Sequence, residues 1–90
     1  MSENVHLVVF KSPYCAPCKT MEPHVEEVKK AFEGRASVAT VDITEEPDTA
    51  AAYGIRSVPT TIVLVGGEVR DMRKGPLRRQ ELAELLQQFV

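Results

Sequence analysis

The sequence predicts an α/β fold in the element order β-α-β-α-β-β-α, with a four-stranded mixed sheet flanked by three helices. Three observations carry this prediction. Two short runs of apolar and β-branched residues, at 5–10 and 37–42, enclose one amphipathic helical stretch, which indicates a βαβ unit with parallel strands. Two further runs, at 60–65 and 68–73, are joined by Gly66-Gly67, a two-residue hairpin signal. The chain then closes with another amphipathic stretch.

The three helices are predicted from apolar spacing and from the residues that begin or end them. The first carries an apolar stripe at helical spacing and ends at Gly34; the stripe is Met21, Val25, Val28 and Phe32. A short second helix covers 47–53 and is closed by Gly54. The third runs from about Arg78 to Phe89, and its buried face is predicted to be Leu82, Leu85, Leu86 and Phe89.

Length and composition exclude several classes of function. Ninety residues predict a single domain of residues 1–90. The formal net charge is −2 with both signs interspersed, so no basic stripe indicates a nucleic-acid partner. The longest apolar runs are too short to span a bilayer, and the first ten residues lack the pattern of a signal peptide. We therefore expect a cytoplasmic protein without membrane contact, and a monomer.

The chain contains two cysteines, Cys15 and Cys18, two residues apart. Structural disulfides are rare in the cytosol, and a bridge across so short a loop would contribute little chain entropy. Both cysteines follow a buried strand and open a helix, where Pro17 fits because first-turn N–H groups need no intrahelical partner. A C-x-x-C in this context indicates a working dithiol.

The position at a helix N-terminus favours a thiolate, which is the nucleophile in disulfide exchange. The N-terminal end of a helix stabilises a negative charge by about 0.3–1 kcal/mol. Lowering a thiol pKa from about 8.5 to about 7 needs roughly 2 kcal/mol. The remainder is assigned to a hydrogen bond from the Cys18 thiol, with help from Lys19. Cys15 lies nearer solvent and is predicted to be the nucleophile, while Cys18 would resolve the mixed disulfide.

Nearly the whole chain resembles the thioredoxin family. The similarity runs through YCAPCK at 14–19, Pro23, VDITEEPDTAAAYGIRSVPT at 41–60, the GGEV hairpin, the Lys-Gly at 74–75 and the final helix. It implies a thioredoxin-like fold and a protein disulfide reductase, with Cys15 and Cys18 as a redox-active disulfide that carries electrons in cell redox homeostasis. It also implies disulfide-containing protein substrates, no bound cofactor, and electrons from an NADPH-dependent flavoprotein reductase.

The resemblance assigns further residues around the dithiol. Pro59 matches the family's cis-proline, and Val58 before it would pair with a substrate segment as a short added strand. Gly75 matches a glycine that lets the substrate approach, and Tyr14 stands where a tryptophan is usual. These four residues are the predicted substrate-binding surface.

The sequence departs from the family beneath the dithiol. Val9 occupies the place of the buried aspartate thought to take the proton of the resolving cysteine, and Thr40 that of its partner lysine. The family's usual first strand and helix are also missing. Glu22, four residues after Cys18 on the same helix face, is a candidate substitute, although a solvated surface glutamate is the more common case, since glutamate is rarely buried. Lys19 is likewise either a tuning residue or a solvated charge.

Three other functions stay open at this point. A zinc site would need four ligands, and only His6 and His24 are available beside the cysteines, so no metal is predicted. A glutaredoxin-like enzyme would share the core. Glutaredoxins usually have a tyrosine between the two cysteines, and a Gly-Gly with an acidic residue where the last helix opens. This sequence has neither feature. A non-enzymatic interaction module with incidental cysteines is the third alternative.

Overall fold

The fold was analysed in a computed structural model, which describes residues 4–90. Four strands and three helices follow in the predicted order. They are β1 (Val5–Lys11), α1 (Ala16–Ala31), β2 (Ser37–Asp42), α2 (Pro47–Ala52), β3 (Thr60–Val65), β4 (Glu68–Lys74) and α3 (Arg79–Gln87). The predicted mixed, four-stranded sheet with three helices is confirmed. The predicted domain span of 1–90 includes residues 1–3, which lie outside the described range, and stays a prediction.

The sheet has the strand order β2-β1-β3-β4. β1 pairs in parallel with β2, as the βαβ pattern predicts, and pairs antiparallel with β3 on its other side. β3 continues antiparallel to β4 through the Gly66-Gly67 turn, where φ is +59° and +87°. Positive φ at both central residues is the requirement of a type I′ hairpin turn, which glycine meets without strain.

Apolar side chains alternate between the two faces of the sheet and form a core on each. Val5, Leu7 and Val9 of β1 lie in the larger core, which α1 and α3 cover. Val8 and Phe10 lie on the opposite face, where Ala50 of α2 packs. The molecule therefore has three layers, and β1 is buried on both faces, as its continuous apolar run predicts.

Element ends differ from the sequence predictions by one or two residues. Lys11 and Lys74 extend β1 and β4 because each still pairs with a neighbouring strand, Lys11 with Asp42 and Lys74 with Thr60. Tyr53 is the C-cap of α2 rather than its last residue. Phe89 lies beyond the end of α3 but still packs against the larger core. None of these shifts moves a side chain to another face.

The register brings several chain segments to one end of the sheet. Phe10 pairs with Thr60, and Thr60 pairs with Lys74, so the end of β1, the start of β3 and the end of β4 lie side by side. The first turn of α1 follows β1 at this end. The loops that carry the predicted site residues therefore converge there.

Asp42 ends β2 at the same edge and stabilises the turn that follows. Its Oδ1 accepts the Thr44 hydroxyl at 2.6 Å and the Thr44 N–H at 2.8 Å. These bonds, the hydroxyl first, hold the pKa of Asp42 below its ordinary value of 3.8. A carboxyl whose folded pKa lies below its unfolded pKa contributes stability above the unfolded value, and the contribution is lost as pH falls through the folded value.

We therefore predict that Asp42→Asn flattens the acid limb of the stability profile. As pH falls below the unfolded pKa of about 4, the free energy of unfolding should fall more steeply in the wild type than in the variant. Urea unfolding at a series of pH values measures this. Glu33→Gln is the control, because within residues 4–90 no hydrogen bond or ion pair reaches the Glu33 carboxylate. Parallel profiles for the wild type and Asp42→Asn would contradict the prediction.

Candidate active site

Cys15 and Cys18 form a disulfide at the N-terminus of α1, with their Cα atoms 5.2 Å apart. Cys15 is the N-cap of the helix, with the extended backbone usual at that position, and Cys18 lies in the first turn. Both residues are buried, with 8% and 3% of their surface exposed. The strand-to-helix junction predicted from the sequence is therefore where the structure places the cysteine pair.

The Sγ of Cys15 takes over the role that a serine or aspartate oxygen has at other helix N-termini. It accepts the backbone N–H of Cys18 at 3.1 Å. The first turn of α1 contains no acidic residue, and Pro17 occupies one of its first two positions, as predicted. A donor aimed at the sulfur and the absence of a nearby carboxylate in that turn both favour a negative Cys15. The sequence analysis missed this backbone donor, although a cysteine in an N-cap position is a readable signal for it.

A cleft of about 250 Å³ opens beside the buried Cys18. Its lining combines apolar residues with several ionisable ones: Val9, Lys11, Cys18, Met21, Glu22, Val25, Glu26 and Thr40. Val9 and Thr40 are register partners on β1 and β2, and both line this cleft, although Val9 is buried and Thr40 is exposed. In this chain they carry no charge.

Glu22 of α1 and Lys11 of β1 are charged residues that line the same cleft. The Glu22 Oε2 lies 3.8 Å from the Lys11 Nζ, and the Glu22 side chain is 53% exposed. The expected placement of Glu22 on the face of Cys18 agrees with the lining of the cleft. Glu26, one turn further along α1, also lines it and was not anticipated, although its i+4 spacing from Glu22 was readable in the sequence.

The loop before β3 contains the cis peptide bond between Val58 and Pro59 that the resemblance implied. The Pro59 carbonyl accepts the Gly75 N–H at 2.8 Å, which joins this loop to the end of β4. Among residues 4–90, no protein group hydrogen-bonds to the N–H or the C=O of Val58. Val58 itself is half-buried against the core beneath α2. Its backbone is thus held at the dithiol end of the sheet with donor and acceptor unused.

Tyr14 and Lys19 flank the cysteines and are both exposed. Tyr14 is 91% exposed, so its ring projects into solvent and does not cover the disulfide. Lys19 donates its backbone N–H to the Cys15 carbonyl at 3.3 Å, which belongs to the first helical turn. Gly75 has φ of +95°, a conformation that side chains disfavour, and no atom lies within 4 Å of the position its Cβ would occupy.

The two histidines are not brought to the cysteines by the fold. The His6 Nδ1 is hydrogen-bonded to the Ser37 hydroxyl across the β1–β2 pair. His24 is half-buried on α1 and lines a separate cavity with Leu77 and Glu81. In the described part of the chain, no three residues among His, Cys, Asp and Glu come together as a metal site. No helix within residues 4–90 combines the length and apolar character that a membrane span needs.

A disulfide at the first turn of a helix, at the same end of the sheet as a loop with free backbone groups beside a cis-proline, is the arrangement of thiol–disulfide exchange proteins. The nucleophilic sulfur sits at a positive helix end, and a backbone segment stands ready to align a second chain. The sequence signals and the three-layer fold thus define the class of thiol–disulfide exchange proteins.

Comparison with known proteins specifies the family. The family model for thioredoxin matches residues 1–88. Thioredoxin 2 of Chlorobaculum tepidum is 38% identical over 89 residues, which cover 99% of this chain and 82% of the relative. A thioredoxin of Synechocystis is also 38% identical, and the match covers 99% of this chain and 83% of the Synechocystis protein. A solved structure of a thioredoxin variant from Halobacterium salinarum superposes with a TM-score of 0.88 at 33% identity, over 97% of this chain and 75% of that one.

The chain belongs to the thioredoxin family, and its activity is that of a thiol–disulfide oxidoreductase. The predicted family, fold and class of activity are confirmed. The individual roles of Tyr14, Val58, Gly75 and the other site residues are not settled by family membership.

Proposed function

We propose that this protein reduces disulfide bonds in other proteins, with Cys15 as the nucleophile and Cys18 as the resolving cysteine. The observation that carries the proposal is the N-cap position of Cys15, where the Sγ accepts the Cys18 N–H. The N-terminal end of the helix and this donor favour the thiolate form at Cys15. Cys18 is the more deeply buried of the two and lies within the helix, so it is suited to act second.

The reaction transfers two electrons and two protons. The Cys15 thiolate attacks one sulfur of the substrate disulfide, forming a mixed disulfide and releasing the other substrate sulfur as a thiolate that takes up a proton. Cys18 then loses its proton and attacks the Cys15 sulfur. This step forms the Cys15–Cys18 disulfide and releases the second substrate thiol. The substrate is reduced and the protein is oxidised to the state described here.

Tyr14, Val58, Pro59 and Gly75 are proposed to bind the substrate. The unused N–H and C=O of Val58 suit pairing with an extended substrate segment, which would add a short strand beside the dithiol. Gly75 leaves the approach open, because no side chain extends from it. Tyr14 offers an exposed ring for contact with the partner.

Pro17, Lys19 and Glu22 are proposed to tune the dithiol. Pro17 fixes the first turn of α1, and Lys19 places positive charge next to Cys18. Glu22 is proposed to receive the Cys18 proton, in place of the acid absent at Val9. The support is the shared cleft of about 250 Å³, which has room for water between the carboxylate and the sulfur. The Lys11 ammonium, 3.8 Å from the Glu22 Oε2, holds that carboxylate near the mouth of the cleft.

The proposed electron donor is an NADPH-dependent flavoprotein reductase, since a protein without its own cofactor must regain two electrons after each cycle. We further propose that residues 1–90 act as a single domain, as a monomer and in the cytoplasm. A reducing compartment suits a protein whose dithiol must be restored to act again.

The roles of the two cysteines are tested by serine substitution. We predict that Cys15→Ser abolishes insulin reduction, and that Cys18→Ser still reacts once and accumulates a mixed disulfide. Intact-mass spectrometry of each variant, after incubation with a disulfide peptide, detects the adduct. Full activity of Cys15→Ser, or an adduct on Cys15→Ser but not on Cys18→Ser, would contradict the assignment.

The role of Glu22 is tested by removing its charge. We predict that Glu22→Gln slows the second step about fivefold at neutral pH, less than the 10²–10⁴-fold usual for a general base because this carboxylate is half exposed. The slowing should vanish above about pH 9, where a thiol ionises in water unaided. Rapid-quench single-turnover kinetics at several pH values measures the step.

Glu27→Gln is the matched control for Glu22→Gln, because Glu27 lies on the same helix but pairs with Arg79 at 3.7 Å. The first step, measured in a Cys18→Ser background, should be unchanged by Glu22→Gln. An unaltered pH profile of the second step would rule out the proton-accepting role and leave Glu22 as a surface residue.

The role of Gly75 is tested against a glycine of similar conformation. We predict that Gly75→Ala and Gly67→Ala each lower the free energy of unfolding by about 1–2 kcal/mol, since φ is +95° and +87° at the two positions. Only Gly75→Ala should also slow insulin reduction, because its methyl group would extend toward the substrate. Urea unfolding and turbidity assays measure the two effects. Equal activity of the two variants would exclude Gly75 from substrate binding.

A further inference from the structure

The charges of this chain are distributed very unevenly around the dithiol. Three of the segments at that end of the sheet contain the cysteines, the loop before β3 and the loop after β4: 11–19, 55–59 and 73–79. The end of β2 and the part of α1 that follows the cysteines lie there too, and they carry acids that include Asp42, Glu22 and Glu26. The three segments contain seven of the eleven lysine and arginine residues and none of the 13 aspartates and glutamates; the seven are Lys11, Lys19, Arg56, Arg73, Lys74, Arg78 and Arg79. The formal net charge of the whole chain is −2, so the remaining residues carry a net charge of −9.

Ion pairs neutralise three of these seven cations. Lys11 lies 3.8 Å from Glu22, Arg73 3.2 Å from Asp71, and Arg79 3.7 Å from Glu27. The other four have no carboxylate within 4.0 Å among residues 4–90, and all four are exposed. We call this set the cationic rim: Lys19, Arg56, Lys74 and Arg78.

Each member of the cationic rim is tied to the site by its place in the fold. Lys19 follows Cys18 directly, and Arg56 lies two residues before Val58. Lys74 precedes Gly75 and pairs in register with Thr60, the residue after Pro59. Arg78 lines a cavity of about 350 Å³ together with Thr20 and Met21 of α1, so it faces the helix that carries the cysteines.

Carboxylates stand near the rim as well, and three of them have polar partners in the described chain, while Glu26 lines the cleft beside Cys18. Asp42, at the end of β2, accepts two hydrogen bonds from Thr44. Glu81 accepts the Arg78 backbone N–H at 2.9 Å, which caps the start of α3. Glu22 pairs with Lys11. Within residues 4–90 no ion pair reaches the four rim cations, so they present positive charge beside Cys15, while the residues outside the three segments carry a net charge of −9.

We propose that the cationic rim selects disulfides flanked by aspartate and glutamate in partner proteins. The inference rests on the proposed function and names its substrate class. A complementary charge pattern accelerates encounter and orients the partner, and surface charges of like sign suppress the wrong partner. The same two electrons and two protons pass as in the general reaction, so the rim changes which disulfide reaches Cys15 and leaves the chemistry as described.

The test compares three disulfide peptides that share one cysteine loop and differ only in four flanking residues, which are aspartate, serine or lysine. Single-turnover reduction by the reduced protein is followed by acid quench and mass spectrometry. At about 20 mM ionic strength we expect the acidic peptide to react about tenfold faster than the basic one. At about 500 mM the two rates should agree within about twofold, because salt screens exposed charges.

The double variant Arg56→Glu/Lys74→Glu removes half of the rim, and its matched control is Lys29→Glu/Lys30→Glu. Both double variants change the net charge equally, but Lys29 lies eleven residues beyond Cys18 on α1, about 17 Å along the helix. We expect the ratio of acidic to basic rates to fall to about one or below in the first variant, and to keep most of its value in the control. Circular dichroism confirms that both are folded.

Equal rates for the acidic and basic peptides at low salt would overturn the proposal, provided that the serine peptide is reduced. An equal loss of preference in Lys29→Glu/Lys30→Glu would also overturn it, because the net charge of the protein alone would then explain the preference for the acidic peptide. Failure to reduce any of the three peptides would refute the proposed function itself. Inhibition by heparin as strong as that by an acidic peptide without cysteines would identify a general polyanion surface and reject the assignment to a protein segment.

Discussion

The junction between β1 and α1 is the constraint on which the rest of the site depends. β1 is buried on both faces, so its end is fixed by the sheet on either side and by both cores. The helix that follows is held through its apolar stripe against the same sheet. Cys15 therefore has almost no positional freedom, and its sulfur meets the first unpaired donors of the helix without the need for a flexible loop to order first.

Val9 and Thr40 stand at the positions to which the resemblance assigns a buried ion pair, and in the proposed mechanism this changes which group receives the Cys18 proton. A charge buried under the dithiol would carry a desolvation cost of several kcal/mol unless it were fully paired. Here the interior stays uncharged, and carboxylates stand at the mouth of a cleft that water can enter. Proton removal from Cys18 is thereby separated from the stability of the core, because the ionisable groups involved are already solvated in part.

Much of this arrangement was readable from the sequence. The period-two and helical spacings predicted all seven elements, because each buried face is continuous and each turn has a glycine or proline at its boundary. The pair Cys15 and Cys18 was assigned to the start of a helix from the same pattern. The cis bond before Pro59 was not deducible from spacing, since most X–Pro bonds are trans, and it came from resemblance alone. The Cys18 N–H donor was missed although the N-cap position of Cys15 was a readable signal for it. The Lys11–Glu22 pair was missed because it depends on side-chain positions that only the packed structure fixes.

The Sγ atom of Cys15 serves two purposes. Its sulfur is the N-cap of a 16-residue helix and also the group proposed to bond to a foreign chain. Loss of an N-cap costs about 1 kcal/mol. A change of covalent partner at this sulfur is therefore able to perturb the helix by no more than about this amount, and only in its first turn. The long apolar stripe beyond that turn keeps the perturbation local, so the site is able to change its covalent partner without loosening the helix that presents it.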